Sequence, residues 1–503
     1  SRCALDRWPA RAALAMLGWG EASWAGLENH ELTVYGSKRG YEELQVAGPD
    51  LEVANDNEKG RSEGMSASAA IANLSNTLLG SGVLGLASVC RYLGIVPFML
   101  LLTLASSLAY NTHTYLYRSC STTKTASMEA LGRAAFGPRG ASIAAGGVIL
   151  QGFGSLSSYT ILFGDLGSSL GGSLAGGIDE ETFAKADSIV SGLDNRVAIV
   201  TVMVVVVVLP LALLPTVSAL KQASRLGVLV FVVFVVTVVL RCITTPAPET
   251  SPLYFFPADP TAVLLNFPTI LFALNSHHTI LTVFAELCPL PGKSVLLTAQ
   301  QVSKTGYLRI YTIYCLVACC GYYQYRESTN VDLLLNFPNS ATTVTLRFMI
   351  LVSVVVGYPT IHFAVRRALM SVLLGPDSPV ITAQHVTQYH VAFTLCIVGS
   401  VSTFAMQLPG LKTAFALTGA TATSWLMLIF PPAVYIQVHK GKLNGTEVAV
   451  AYAHIVLGFA IMFFCVHAQL TPAGGASPTT PDPLADLPWH GMVPANLPPA
   501  GHA

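Results

Sequence analysis

Charged residues are scarce in this chain: it has 503 residues, and only 11% of them carry charge. Soluble domains usually carry about 25% charged residues, so the composition excludes an ordinary soluble protein. The formal net charge is +0, which gives no indication of a nucleic-acid or other strongly anionic partner. Hydrophobic residues make up 52% of the chain and the mean hydropathy is +0.57. The composition therefore indicates a membrane protein.

Motifs of enzymes and ATP-driven pumps are also missing. The sequence contains no nucleotide-binding loop, no kinase motifs, no zinc motif and no arrangement typical of covalent catalysis. None of the 10 cysteines forms a CxxC pair, and we interpret them as small apolar residues. We therefore expect no enzyme activity and no resident cofactor. A carrier driven by an ion gradient is the favoured class.

Long apolar runs are abundant. A hydrocarbon core about 30 Å thick needs about 20 apolar residues per helix. Eleven segments approach this length: 66–90, 93–117, 141–167, 196–218, 223–243, 261–286, 307–325, 342–365, 387–408, 411–437 and 449–469. We predict an all-α integral membrane protein with eleven transmembrane helices in a transporter domain at 65–470. The tails at 1–64 and 471–503 are expected to be largely disordered.

The distribution of Lys and Arg predicts the orientation. With a cytoplasmic N-terminus, 20 of these residues fall on the cytoplasmic side and 7 on the other side. Because basic residues concentrate in cytoplasmic loops, we predict a cytoplasmic N-terminus and a C-terminus outside. The Gly- and Ser-rich loop at 168–195 is then extracellular or lumenal. The plasma membrane is the expected location, with the lysosome or vacuole as alternatives.

The first apolar segment contains an unusual polar stretch. Asn73, Asn76 and Gly80 have the spacing of one helix face, and Gly80-Ser81-Gly82 makes local unwinding easy. Unwound backbone at membrane depth exists only where it is buried in protein or lines a cavity, and its N–H groups can hold a carboxylate. The alternative is that the glycines only allow close helix packing. The two amides favour binding, because a buried amide needs partners.

The sixth segment has a matching interruption. Pro268 and the run Asn275-Ser276-His277-His278 break an apolar sequence, and paired interruptions in two halves indicate a transporter site. His277 and His278 are candidates for proton coupling, because intramembrane ionisable residues are functional candidates and histidine titrates near neutral pH. The alternative is that they only form hydrogen bonds to neighbouring helices.

Two further segments carry candidate ligands. Gln151 begins a small, polar stripe in the third segment that suits either a cavity wall or close packing. Ser353 and Thr360 flank Pro359 in the eighth segment, and their hydroxyls could bind a hard cation such as sodium. The alternative for both is a hydrogen bond back to their own helix.

The run NLSNTLLGSGVLGLASVCRYLG within 65–94 resembles the first helix of sodium-coupled neutral amino acid transporters, in the amino acid/auxin permease family. The resemblance continues in MEALGRAAFG at 128–137, in 272–287 and in 347–366, and covers about 65–440. It implies a LeuT-type 5+5 inverted repeat plus one extra helix, with helices one and six broken. It also implies symport of small neutral amino acids such as glutamine, alanine or serine.

The resemblance also implies roles for individual residues. Asn76 corresponds to an amide linked to sodium, with Ser353 and Thr360 as further candidate sodium ligands. The resemblance implies that the backbone at Ser81 and Gly82 meets the substrate carboxylate and that Asn275 and Ser276 line the pocket. We predict further substrate-binding residues at Asn73, Gly80, Gln151 and Phe272. The sequence departs from the pattern where sodium-coupled members have threonines, which correspond here to Val355 and Gly357.

We expect a sodium-driven symporter that works by alternating access within the lipid bilayer. Proton coupling is the first alternative. A membrane amino acid sensor, whose tail at 1–64 docks a cytoplasmic partner, is the second.

Overall fold

The computed structural model describes residues 64–175, 195–214, 221–248, 251–257, 259–375 and 388–471. The predicted tails at 1–64 and 471–503 lie almost entirely outside these ranges, as does most of the loop predicted at 168–195. The regular secondary structure of the described residues is helical, apart from an isolated parallel bridge between Met65 and Leu287.

Fifteen α-helices are numbered here in chain order. The first eight are α1 (Ala67–Leu78), α2 (Gly82–Leu93), α3 (Ile95–Thr123), α4 (Met128–Ala175), α5 (Asn195–Val202), α6 (Leu209–Ala212), α7 (Lys221–Thr244) and α8 (Ala262–Ala273). The others are α9 (His277–Glu286), α10 (Val295–Tyr325), α11 (Ala341–Leu374), α12 (Gln388–Gln407), α13 (Leu411–Thr418), α14 (Phe430–Val438) and α15 (Gly445–Leu470). Two π-helical segments, Met203–Val208 and Gly419–Ile429, join α5 to α6 and α13 to α14.

Several helices are long and apolar enough to cross a membrane. Within the described ranges, 5 single helices meet this standard. The count of candidate spans rises to 6 if the bent pair α1–α2 forms one span. The 5 are Ile95–Thr123, Ala341–Leu374, Gln388–Gln407, Leu411–Val438 and Gly445–Leu470. The chain is therefore an all-α, multi-pass membrane protein. The count of eleven spans and the inverted repeat stay predictions, although each predicted segment overlaps a described helix.

The small residues of α4 are used for close packing. A Cβ atom added to Gly152 would lie 2.1 Å from a side-chain carbon of Val365, and one added to Gly154 would lie 2.1 Å from Thr418 Oγ1. At these two positions the predicted polar stripe is thus a packing face rather than a cavity wall. Earlier in α4, Gly137 has a φ of 70° and interrupts the helix just before Pro138.

The beginning of α1 is tied to the end of α9. The Met65 N–H donates to the Glu286 carbonyl at 2.7 Å, and the Cys288 N–H donates to the Met65 carbonyl at 2.9 Å. α1 and α2 form the first interrupted segment, and α8 and α9 form the second. These bonds therefore join the first half of one segment to the second half of the other. The two half-helices are therefore connected at the end of the bundle that the loop charges predict to be cytoplasmic.

Candidate functional site

The first predicted break is present between α1 and α2. The two helices bend by 60° across a break formed by Leu79, Gly80 and Ser81. The Gly80 N–H donates to the nearby Leu78 carbonyl at 2.8 Å rather than to a helical partner. The Val83 and Leu84 N–H groups donate to the Gly80 and Ser81 carbonyls at 3.4 and 3.2 Å, whereas those of Ser81 and Gly82 have no acceptor among the described residues. This helix start is the kind of position at which backbone N–H groups bind a carboxylate.

The second predicted break is present between α8 and α9. Leu274, Asn275 and Ser276 separate the two helices, and all three are buried. Pro268 inside α8 removes one backbone donor between one and two turns earlier. The Nδ2 atom of Asn275 is buried without a hydrogen-bond partner among the described residues. An unpaired amide donor at this depth is costly and is therefore available to an acceptor on a ligand.

The two breaks lie directly against each other. A Cβ atom on Gly82 would lie 2.9 Å from the Cα atom of Ala273, so α2 begins in contact with the end of α8. The Tyr314 hydroxyl of α10 lies 2.5 Å from the Leu78 carbonyl oxygen and 2.8 Å from the Ala273 carbonyl oxygen. The last carbonyl groups of α1 and α8 thus meet at one phenol.

A second tyrosine faces the first break. A Cβ atom on Gly80 would lie 3.8 Å from the Tyr159 hydroxyl, and one on Gly357 would lie 3.4 Å from the Tyr159 ring. Tyr159 on α4 therefore lies between the α1–α2 break and α11.

A cluster of histidines lies beside the second break. The imidazole rings of His113 on α3 and His277 on α9 have centroids 4.4 Å apart, and both side chains are buried. His113 Nε2 lies 3.3 Å from Ser276 Oγ and 3.2 Å from Tyr307 Oη. His113 Nδ1 lies 3.1 Å from Ser303 Oγ. The cluster connects α3 and α10 to the unwound segment.

His277 contacts an acceptor at each ring nitrogen. Its Nδ1 lies 3.2 Å from Asn275 Oδ1, which also accepts the His277 main-chain N–H at 3.2 Å. Its Nε2 lies 2.8 Å from Thr112 Oγ1, and the Thr112 hydroxyl donates to the Leu108 carbonyl at 2.9 Å. A doubly protonated ring donates to both partners, and a neutral ring keeps both contacts when the Thr112 hydroxyl donates to Nε2 instead.

The predicted substrate-binding residues divide into two groups. Gly80, Ser81, Gly82, Asn275 and Ser276 form the two adjoining breaks, and Phe272 stacks on Phe415 next to them with ring centroids 4.9 Å apart. Asn73 is exposed, one to two turns before the first break. Gln151 accepts a hydrogen bond from Thr423 at 2.9 Å and so connects α4 to the π-helical segment.

The predicted ion-coupling residues are dispersed. Asn76 is half-buried on α1, and it already interacts with another group of the protein. Ser353 Oγ would lie 2.8 Å from a Cβ atom on Gly227, so it faces α7, and Thr360 is exposed. His278 is half-buried next to His277, and its Nδ1 has no partner within the described ranges. These assignments remain predictions.

Several site residues were missed by the sequence analysis, namely Thr112, His113, Tyr307 and Tyr314. His113 had a usable signal, because an ionisable residue inside an apolar segment is a functional candidate. The two tyrosines had none, since nothing in their local sequence indicates which helix they face.

Comparison with protein-family models identifies one match, described as "Transmembrane amino acid transporter protein", over residues 63–471. The match covers most of the chain and includes both breaks, the histidine cluster and Tyr314. The chain therefore belongs to the family of transmembrane amino acid transporter proteins.

Proposed function

We propose that this protein is a symporter that moves small neutral amino acids across its membrane by alternating access. The observation that carries the proposal is the contact between the two breaks, Leu79–Ser81 and Leu274–Ser276. A transporter needs binding groups near the bilayer midplane that helix movement can open to either side. Two adjoining broken helices meet both needs, because each half-helix can move separately.

The donors around the breaks suit an amino acid. The N–H groups at the start of α2 would bind the substrate carboxylate, helped by the positive end of the helix dipole. Asn275 Nδ2 is a second, unpaired donor beside them. The stacked rings of Phe272 and Phe415 would form an apolar wall. No charged side chain is found among these residues, which favours a neutral substrate.

Protons are the coupling ion that this geometry supports best. His277 contacts Thr112 through Nε2 and Asn275 through Nδ1. Gain or loss of a ring proton would reverse the direction of one of these hydrogen bonds or rearrange it. Because Asn275 lies in the break, protonation and substrate binding would act on the same residue. The titratable groups next to His277 are His113 on α3, Tyr307 on α10 and His278 on α9.

Sodium remains the second candidate, as the family resemblance implies. Two carbonyl oxygens, from Leu78 and Ala273, converge on Tyr314, and carbonyl oxygens are suitable ligands for a hard cation. The exposed position of Thr360 and the contact of Ser353 with α7 favour protons over sodium.

Uptake of labelled glutamine or alanine into proteoliposomes tests the proposal, with sodium and pH gradients varied independently. We expect uptake to persist when choline replaces sodium and to collapse without an inward proton gradient. His277→Gln should abolish the response to the gradient while substrate exchange continues, and His278→Gln is the matched control. Uptake that requires sodium and ignores His277→Gln would contradict proton coupling. Absence of any amino acid uptake or exchange would contradict transport itself.

A further inference from the structure

A pocket of about 360 Å³ lies far from the breaks, at one end of the bundle. The end of α3, the end of α14 and the turn that leads into α15 form its walls. Arg118, Thr122, Tyr435, His439, Lys442 and Glu447 contribute its polar groups. The loop charges predict that this end faces the cytoplasm. With this orientation, the pocket would open at the level of the inner-leaflet headgroups.

Arg118 is held in place within this pocket. Its Nη1 donates to Tyr435 Oη at 3.1 Å and lies 3.6 Å from Glu447 Oε1. A guanidinium has five N–H donors in a planar fork, so most of them are left for a ligand. Arginine is the residue best suited to bind phosphate through two parallel hydrogen bonds.

His439 is held in the pocket by contacts at both ring nitrogens. Nδ1 lies 3.1 Å from the Tyr435 carbonyl oxygen, which can only accept, so Nδ1 is a donor. Nε2 lies 3.0 Å from Thr122 Oγ1, and the Thr122 hydroxyl also lies 3.0 Å from the Arg118 carbonyl oxygen. These contacts connect the end of α3 to the end of α14.

Glu447 is the acidic residue of the pocket, and it is already engaged. Its Oε2 accepts the Asn444 N–H at 3.2 Å in the capping box that begins α15. Its Oε1 faces Arg118. Lys442 forms no ion pair with a described acidic residue. Arg118 and Lys442 thus share one carboxylate, and the pocket has a surplus of positive charge.

We propose that this pocket binds a phosphate monoester, as carried by the headgroup of an inner-leaflet phosphoinositide. Basic pockets between transmembrane helices on the cytoplasmic side are suited to such headgroups. Leu296 and Leu443 also line the pocket and would contact the first carbons of an acyl chain. A soluble phosphate compound has the same anionic group, so the test includes both sources.

Binding is measured on the purified full-length protein by native mass spectrometry. One arm titrates short-chain phosphatidylinositol 4-phosphate against short-chain phosphatidylinositol as the unphosphorylated reference. A second arm titrates inositol 1,4,5-trisphosphate and inorganic phosphate. Stronger binding of the phosphorylated lipid than of either soluble compound identifies the lipid as the source. Equal binding of inositol trisphosphate identifies the soluble source. Equal binding of the two lipids would overturn the proposal.

Three variants locate the site. Removing both charges in Arg118→Gln/Lys442→Gln should weaken binding about 30-fold, since each basic residue contributes about fivefold. Lys440→Gln removes one positive charge from an exposed residue outside the pocket. This variant should leave affinity within about twofold. Glu447→Gln keeps a capping-box residue but frees Arg118, so it should tighten binding severalfold.

Two results would contradict this location. The first is equal weakening by Lys440→Gln and by the double variant, which would indicate general surface charge. The second is unchanged affinity in Glu447→Gln. Thermal unfolding of each variant identifies one that has lost its fold, and the gain expected for Glu447→Gln cannot arise from unfolding.

Discussion

The hydroxyl of Tyr314 on α10 lies 2.5 Å from the carbonyl oxygen of Leu78, the last residue of α1. The same hydroxyl is 2.8 Å from the Ala273 carbonyl oxygen at the end of α8. A phenol has one proton for these two acceptors. Both carbonyl groups lack the N–H partner of a continuous helix, because α1 ends at Leu78 and α8 ends at Ala273. Tyr314 therefore stabilises the two breaks together, from a third helix.

Removal of this hydroxyl should weaken both breaks. Tyr314→Phe leaves the Ala273 carbonyl without this donor and the Leu78 carbonyl with only the Gly80 N–H, at a cost of about 1–3 kcal/mol. We expect the initial rate of amino acid uptake to fall about tenfold, which corresponds to about 1.4 kcal/mol. Tyr311→Phe is the matched control, because Tyr311 donates no bond to either break and contacts Thr103 instead. Equal losses in the two variants would show that the position of the hydroxyl is unimportant.

The two glycines of the first break should respond differently to alanine. A Cβ atom at Gly82 would lie 2.9 Å from the backbone of Ala273, whereas one at Gly80 would be in ordinary contact, 3.8 Å from Tyr159. Overpacking of this kind costs about 1–3 kcal/mol. Thermal unfolding should show Gly82→Ala as clearly less stable than the original protein and Gly80→Ala as close to it. The reverse order would contradict the contact between α2 and α8.

The role of Gln151 can be decided by a double-mutant cycle. If Gln151 mainly accepts the Thr423 hydroxyl, then Gln151→Leu and Thr423→Val remove the same hydrogen bond. The double variant should then be about as stable as the worse single variant, with a coupling of about 0.5–3 kcal/mol in thermal unfolding. Additive losses, together with a KM raised only in Gln151→Leu, would support the substrate-binding role predicted from the sequence.

Asp332 should make stability depend on pH. It lies in the segment before α11, outside the membrane-spanning helices, and burial raises its pKa from 3.8 to about 7, despite the Leu334 N–H bond that lowers it. The folded state therefore binds this proton more tightly than the unfolded state. Stability from this group is complete below pH 3.8 and is lost as the pH rises through about 7.

Unfolding midpoints measured from pH 4 to pH 8 test this sign. The original protein should lose stability over this range, and Asp332→Asn should flatten the curve while its side-chain oxygen still accepts the Leu334 N–H. Glu327→Gln changes an exposed carboxyl group nearby and should leave the slope unchanged. A slope that persists in Asp332→Asn would assign the pH dependence to another group.

The breaks could be predicted from local sequence, because glycine, proline and amide residues act on the backbone where they occur. Gly80-Ser81-Gly82 and Asn275-Ser276 were identified in this way, and both lie between half-helices. The ligands proposed on α11 were harder to assign. Ser353 and Thr360 have the right chemistry, but the direction of a helical side chain depends on how the helix is packed. For the same reason, the sequence could not show that Gln151 accepts a hydrogen bond from Thr423, which is 272 residues away.

The sequence by itself determined that the chain lies in a membrane, that two of its apolar segments are interrupted and which residues interrupt them. Composition and local backbone preference are sufficient for these conclusions. Only the tertiary structure decided that the interruptions meet, that Tyr314 joins them and that His113 lies against His277. These contacts bring together residues that are 41 to 236 positions apart. No local pattern encodes them, because helix packing alone sets which distant side chains share a buried space.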